Sequence, residues 1–139
     1  MGRISTMIKL NHVALSVKNI EVSRKFYEQV FDLQFQKEGE GERPELGVRF
    51  ILLADEQGNA IELFESKKQI PLEENLMDFS RHGIKHVAFT VDNIEETLEK
   101  ALAEGAKVIW PVREIRGTIK RLAFIGDTDG IPIELMELR

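Results

Sequence analysis

The sequence predicts an α+β fold made of two copies of one unit, in which a strand, a helix and three further strands follow one another. An internal repeat, alternating apolar and polar residues, and two helical segments with apolar faces predict this fold. Residues 12–21 match residues 86–95 at seven of ten places, and residues 55–65 match residues 127–137 in the same order. Two matching blocks at nearly the same offset indicate a tandem duplication.

The elements are predicted in chain order from these patterns and from the residues that start and stop them. Alternation predicts the first strand of each unit, with Leu15 and Phe89 on the face under the helices. Asn93 and Glu96 match a capping box, and Gly105 is typical of a helix end. The predicted strands are 8–17, 33–38, 47–54, 59–66, 84–91, 107–110, 119–126 and 131–138, and the predicted helices are 20–32 and 94–104, with a short one after Pro71. We predict one domain, residues 1–139, with repeats 8–66 and 84–138 joined by residues 67–83.

Length, composition and charge restrict the classes of partner. The chain has 139 residues, 31% of them charged, no cysteine and a net charge of −5. The acidic balance argues against a large nucleic-acid surface, and the longest uncharged apolar run, residues 50–54, is too short to cross a bilayer. A chain without cysteine has no disulfide or thiolate metal site and fits a reducing compartment. We therefore expect a cytoplasmic protein with a small-molecule substrate, and neither nucleic acid nor a membrane as partner.

Strand parity places a histidine and a glutamate of each unit on an open face. Successive side chains of a strand point to opposite faces, so His12 and His86 point away from the face that packs under the helices. Glu62 and Glu134 are flanked by apolar neighbours in the last strands, where a carboxylate is costly unless it is paired or bound to metal. Two imidazoles and two carboxylates suit one divalent metal, Zn, Ni, Co, Mn or Fe. The alternative is a ligand-binding domain that has these residues and uses no metal.

These features resemble the vicinal oxygen chelate superfamily, which includes glyoxalases, methylmalonyl-CoA epimerases, extradiol dioxygenases and drug-resistance proteins. The resemblance covers residues 10–138 and implies βαβββ modules that form a U-shaped mixed sheet around a metal. Residues 125–130 are similar to an Asp-Pro-Asp-Gly stretch of glyoxalases, with Thr128 in place of proline, and Ser16 stands where glutathione-using glyoxalases have arginine. Residues 44–48 are similar to the segment with the catalytic glutamate of the epimerases. The metal ligands implied by the resemblance are His12, Glu62, His86 and Glu134.

The resemblance implies a lyase or isomerase that moves a proton at carbon next to a metal-bound carbonyl. Glu134 is the implied base, and Glu45 is the candidate for the second acid or base that an epimerase needs. A metal-free drug-binding protein and an extradiol-type dioxygenase are the alternatives. Because family members pair their modules within a chain or across a dimer, we expect a homodimer.

Two further segments are predicted to contact the substrate, which would be a thioester or a hemithioacetal. The polar, glycine-rich residues 36–47 are predicted to be a loop that closes over it, with a solvated loop of no such role as the alternative. Cationic side chains within residues 107–121 suit the phosphate or carboxylate end of such a substrate, although a solvated basic hairpin is the alternative. The cations proposed for substrate binding are Arg116, Lys120 and Arg121, with Lys107 and Arg113 nearby.

Overall fold

Each half of the chain forms a four-stranded mixed sheet with one helix packed against it. The computed structural model describes residues 6–41, 43–72 and 76–139. In the first half the elements are β1 (Val13–Ser16), α1 (Ile20–Phe31), β2 (Gln34–Glu40), a short 3₁₀ helix (Pro44–Leu46), β3 (Val48–Ala54) and β4 (Ala60–Ser66). In the second half they are β5 (Val87–Thr90), α2 (Ile94–Ala103), β6 (Lys107–Glu114), β7 (Ile119–Gly126) and β8 (Pro132–Leu138). The predicted α+β fold of strand–helix–three-strand modules is confirmed.

The two sheets have the same strand order, β1-β4-β3-β2 and β5-β8-β7-β6. In each sheet the first strand runs parallel to the last strand of its module, and the other pairs are antiparallel. The strands predicted at 8–17 and 84–91 are shorter in the structure. The reason is visible in β1, which joins the sheet only at Val13, opposite Ile61 near the start of β4. β1 and β5 are therefore edge strands of their sheets.

Asparagine side chains cap the N-termini of both helices, and a glycine follows the end of α2. The Asn19 side chain accepts hydrogen bonds from the second and third backbone N–H groups of the first turn of α1, and Asn93 accepts one from Glu96 N–H at 3.0 Å. Such caps satisfy N–H groups that have no partner inside the helix. Gly105 has a φ of +100°, which suits glycine at a helix end. The predicted cap at Asn93 and stop near Gly105 are confirmed.

One apolar core joins the two halves. Phe26, Ile51 and Leu135 are fully buried in it, and burying each such side chain contributes about 1.5–3 kcal/mol. Phe31 of α1 stacks on Phe89 of β5 with ring centroids 3.9 Å apart. The modules are thus held together through the helix side of their sheets, which leaves the opposite faces open.

The segment between the modules contains no described helix. The short helix predicted after Pro71 falls partly on residues 73–75, which lie outside the described residues, and residues 76–83 form turns and bends. Within the described ranges, no helix is long and apolar enough to pass through a lipid bilayer.

Candidate metal and substrate site

The first half brings together one predicted histidine and one predicted glutamate. His12 immediately precedes β1, and Glu62 lies in β4 opposite Ala14. Their closest atoms, His12 Nε2 and Glu62 Oε1, are 3.6 Å apart, and the side chains are 35% and 18% exposed. Ala14, a small and exposed residue, lies beside Glu62 in the sheet and shares the parity of His12.

The second half repeats this arrangement. His86 Nε2 lies 3.7 Å from Glu134 Oε1, with side chains 27% and 15% exposed. Phe124 of β7 is paired with Glu134 in the sheet, and its ring meets the imidazole of His86 edge to face, with centroids 5.0 Å apart. Trp110 packs against Phe124 in turn, at 4.8 Å between ring centroids. The second pair therefore lies beside an aromatic cluster of Trp110 and Phe124.

The donor atoms of each pair fit a shared divalent metal. Two ligand atoms that are each about 2.1 Å from one ion lie at most about 4.2 Å from each other, and both pairs meet this limit. Imidazole nitrogen and carboxylate oxygen are ligands that Zn and similar divalent metals accept. Each half of the chain thus supplies two donors in a spacing suited to neighbouring coordination positions.

The two pairs do not converge within one chain. Among residues 6–41, 43–72 and 76–139, no group of three or more histidines, aspartates and glutamates is close enough to hold a metal ion. His12 pairs with Glu62 and His86 pairs with Glu134, each on its own sheet. The single chain therefore contains two half-sites, and one site of four ligands stays a prediction.

A cavity of about 490 Å³ lies over the open face of the first sheet. Its walls include Glu62, Phe64, Lys37, Arg43 and Leu46. The lining of the cavity therefore combines a carboxylate, apolar side chains and two cations. Such a combination of an apolar lining with a few polar groups is typical of small-molecule sites.

Glu45 lies between two residues that line this cavity. It is part of the 3₁₀ helix, and its carboxylate accepts a hydrogen bond from Arg43 Nε at 2.8 Å. This bond lowers the pKa of Glu45 below its usual value. Within one chain Glu45 is therefore on the side of Glu62, on the sheet of the first half, whereas Glu134 is on the sheet of the second half.

The predicted loop 36–47 is partly wrong. Residues 36–40 belong to β2, which pairs with β3 as far as Glu40 opposite Arg49. This strand is exposed along most of its length, and a strand that is polar on both faces lacks the alternation from which strands are predicted. The connection is therefore limited to residues 41–47, of which Glu42 lies outside the described residues.

The cations predicted to bind substrate divide into two groups. The guanidinium of Arg121 donates to Glu95 and Glu137 through all three of its nitrogens, so its charge holds α2 against β7 and β8, and we assign it a structural role. Arg116 and Lys120 are exposed near the turn between β6 and β7, and Lys107 is exposed as well. Arg113 lies over the Trp110 ring, with its guanidinium carbon 5.8 Å from the ring centroid.

Sequence reasoning missed the neighbours of the two histidines. The Asn11 side chain contacts His12 Nδ1 at 2.8 Å, and the aromatic cluster of Trp110 and Phe124 flanks His86. Phe124 could have been found, because it shares the strand parity of the open face once β7 is aligned with Glu134 of β8. The counterpart of Asn11 in the repeat is Lys85. A comparison of the two halves of the sequence therefore does not single out Asn11.

Comparison with known proteins places the chain in a family. It belongs to the Glyoxalase/Bleomycin resistance protein/Dioxygenase superfamily, whose family model matches residues 9–135. The chain is 31% identical over 133 residues to lactoylglutathione lyase of Haemophilus influenzae, with 94% of this chain and 93% of that protein covered. It is 28% identical over 131 residues to the mitochondrial methylmalonyl-CoA epimerase of Dictyostelium discoideum, with 93% and 78% covered.

A solved structure agrees with this assignment at the level of the fold. The crystal structure of a glyoxalase family protein from Bacillus cereus superimposes with a TM-score of 0.80 over 99% of both chains, at 20% sequence identity. The superfamily and the fold predicted from the sequence are confirmed.

Proposed function

We propose that the protein is a metal-dependent lyase or isomerase that moves a proton at a carbon next to a carbonyl group, with each site assembled from two copies of the chain. The observation that carries the proposal is the presence of two equivalent half-sites, His12 with Glu62 and His86 with Glu134, that do not meet in one chain. The named relatives, a lyase and an epimerase, support chemistry of this kind.

A two-fold dimer is the simplest assembly that joins unlike half-sites. In such a dimer His12 and Glu62 of one copy face His86 and Glu134 of the other, and symmetry creates the second site at once. The chain also carries apolar side chains that a partner would cover, since Ile8, Leu10 and Ile84 are 90%, 81% and 87% exposed. All three lie just before the edge strands β1 and β5, beside the two histidines.

In this proposal four side chains bind the metal, and one of them also acts as the base. His12, Glu62 and His86 would hold the metal together with Glu134, and a bound Zn, Ni, Co, Mn or Fe ion supplies a Lewis acid for the substrate carbonyl. Glu134 would accept the proton from the neighbouring carbon through a carboxylate oxygen that is not bound to the metal. Its side chain is 15% exposed and lies beside Phe124 in the sheet, so bulk water has little access to it.

The candidate second acid or base is Glu45. Epimerisation inverts a carbon centre, so a proton leaves one face of the planar intermediate and another arrives at the opposite face. In this role Glu45 would accept a proton in one direction of epimerisation and donate one in the other, and the hydrogen bond from Arg43, which lowers the pKa of Glu45, favours the ionised form that accepts. Glu45 would reach a site that contains Glu134 only if that Glu134 came from a second copy.

The substrate would be a hemithioacetal or an acyl-CoA thioester, as the activities of the two named relatives suggest. Lys120 and Arg116 are exposed and available for a phosphate or carboxylate end. We include a cytoplasmic location in the proposal, because a chain without cysteine is suited to a reducing compartment.

Metal content and turnover test the proposal directly. Purified protein is analysed for bound metals, reloaded with each divalent candidate, and assayed on methylglyoxal hemithioacetals and on acyl-CoA thioesters. Glu134→Gln should lower turnover by about 10²–10⁴-fold, whereas Glu99→Gln, at an exposed position of α2, should leave it unchanged. Protein that binds no divalent metal and turns over neither substrate would contradict the proposal and favour a binding protein.

The exchange of solvent deuterium into the substrate carbon separates the two reactions. If the protein is an epimerase, Glu45→Gln should abolish epimerisation. Glu134 should still remove the proton from the substrate carbon, so that solvent deuterium still enters at that carbon. If it is a lyase with one base, Glu45→Gln should leave both exchange and turnover intact, and only Glu134→Gln should remove them.

A metal-free binding protein is the second candidate. The cavity above Glu62 favours it, because a protein of this kind needs only such a groove. Elemental analysis of the dimer decides between the two candidates.

A further inference from the structure

We infer that Asn11 is a positioning residue that fixes the tautomer of His12 and so directs the Nε2 lone pair towards Glu62. The inference rests on the proposed function only for its consequence, which is tighter metal binding. Asn11 Oδ1 lies 2.8 Å from His12 Nδ1. An amide oxygen can only accept a hydrogen bond, so with the amide in this orientation the contact is a hydrogen bond only when the imidazole hydrogen is on Nδ1. The neutral ring then carries no hydrogen on Nε2.

The other ring nitrogen, Nε2, lies near the carboxylate of Glu62, the second candidate metal ligand of this half. His12 Nε2 lies 3.6 Å from Glu62 Oε1, which is too far for a good hydrogen bond. A histidine that binds a metal through Nε2 normally donates its Nδ1–H to an oxygen acceptor, which fixes both the tautomer and the ring orientation. Asn11 supplies that acceptor from the adjacent position in the chain.

The second half lacks an equivalent acceptor. Lys85 occupies the corresponding position, and its Nζ donates instead to the backbone oxygen of Asp78 at 3.1 Å. His86 Nδ1 is buried without a hydrogen-bond partner among the described residues, and the ring is held by its edge-to-face contact with Phe124. The two histidines of the repeat are thus oriented by different means, which provides a control inside the same molecule.

Nitrogen-15 NMR of the metal-free protein tests the inference. In mildly alkaline solution, where imidazoles are neutral, His12 should be found with its hydrogen on Nδ1. Asn11→Leu should shift it towards the Nε2–H form, and Asn11→Asp, which keeps an acceptor oxygen, should restore the Nδ1–H form. Lys85→Leu is the matched control and should leave the tautomers of both histidines unchanged.

Metal titration measures the consequence. Asn11→Leu should weaken divalent-metal binding by about tenfold, at the lower end of the range for partners of a ligating histidine because Asn11 is exposed, and Asn11→Asp should retain it. A wild-type His12 with its hydrogen on Nε2, or a tautomer that Asn11→Leu does not change, would overturn the inference. A shifted tautomer with unchanged metal affinity would overturn its consequence. If the wild type binds no metal, the proposed function fails, whereas the NMR result still decides the role of Asn11.

Discussion

At the scale of single residues, one buried hydrogen bond links the two halves of the chain. The hydroxyl of Tyr27 on α1 donates to Asp127 Oδ2 at 2.6 Å. Burial raises the pKa of the Asp127 carboxyl, and burial together with the Asp127 charge raises that of the Tyr27 phenol. Tyr27→Phe should lower the free energy of unfolding by about 1.5–3 kcal/mol, because a buried carboxylate loses a donor. Urea denaturation measures the change.

A neighbouring buried hydroxyl on the same helix provides the control for this prediction. Ser23 is fully buried, and its Oγ has no hydrogen-bond partner among the residues that the structure describes. Ser23→Ala should therefore change the free energy of unfolding by less than about 1 kcal/mol. A cost for Tyr27→Phe no larger than that for Ser23→Ala would contradict the predicted contribution of the Tyr27–Asp127 bond.

At the scale of the elements, a side-chain hydrogen bond, here called the helix tie, joins the first turn of each helix to the last strand of its own half. Glu65 accepts a hydrogen bond from Ile20 N–H at 2.9 Å, and Glu137 accepts one from Ile94 N–H at 2.7 Å. A carboxylate at a helix N-terminus is favourable because N–H groups and the helix dipole both face it. The second tie is reinforced by Arg121 of β7, which also binds Glu95.

This tie predicts how stability depends on pH. Hydrogen bonds from Arg121 lower the pKa of Glu137 and of Glu95 below their usual 4.5. A carboxyl whose pKa is lowered by folding stabilises the fold at pH values above its pKa in the unfolded chain. This stabilisation is lost as the pH falls through its pKa in the folded protein. Arg121→Gln should therefore move the midpoint of acid unfolding to higher pH, as measured by circular dichroism. Arg116→Gln, at an exposed cation, should not move it, and identical midpoints for both variants would contradict the role of the tie.

Most elements could be predicted because their patterns are local. Alternation and caps gave both helices to within about one residue, as expected for boundaries of this kind, and the repeat identified Glu62 and Glu134 as equivalent. The same repeat aligns Glu65 with Glu137, and only strand parity separates these structural carboxylates from the candidate ligands. Arg121 was grouped with the substrate cations because local charge cannot show that its side chain turns towards α2.

At the scale of the whole molecule, the relation between the half-sites depends on how the modules pack, which no local pattern encodes. The halves join through their helix sides, by the stacking of Phe31 on Phe89 and by the bond between Tyr27 and Asp127. This packing leaves the open faces of the two sheets, and with them the two His–Glu pairs, unconnected within the chain. The sequence could therefore predict the four candidate ligands but not whether one chain or two would have to bring them together.

A mixing experiment decides whether each site contains residues from two copies. Glu62→Gln and Glu134→Gln each damage one half-site, and each homodimer would be impaired at both of its sites. When the two variants are unfolded, mixed in equal amounts and refolded, every mixed dimer has one site with both substitutions and one site with neither. Random assembly should therefore restore metal binding and turnover to about one quarter of the wild-type level. The control is each variant refolded alone, which should remain impaired. If the ligands came from a single chain, every site in the mixture would still carry one substitution, and no activity beyond that of the separate variants would return.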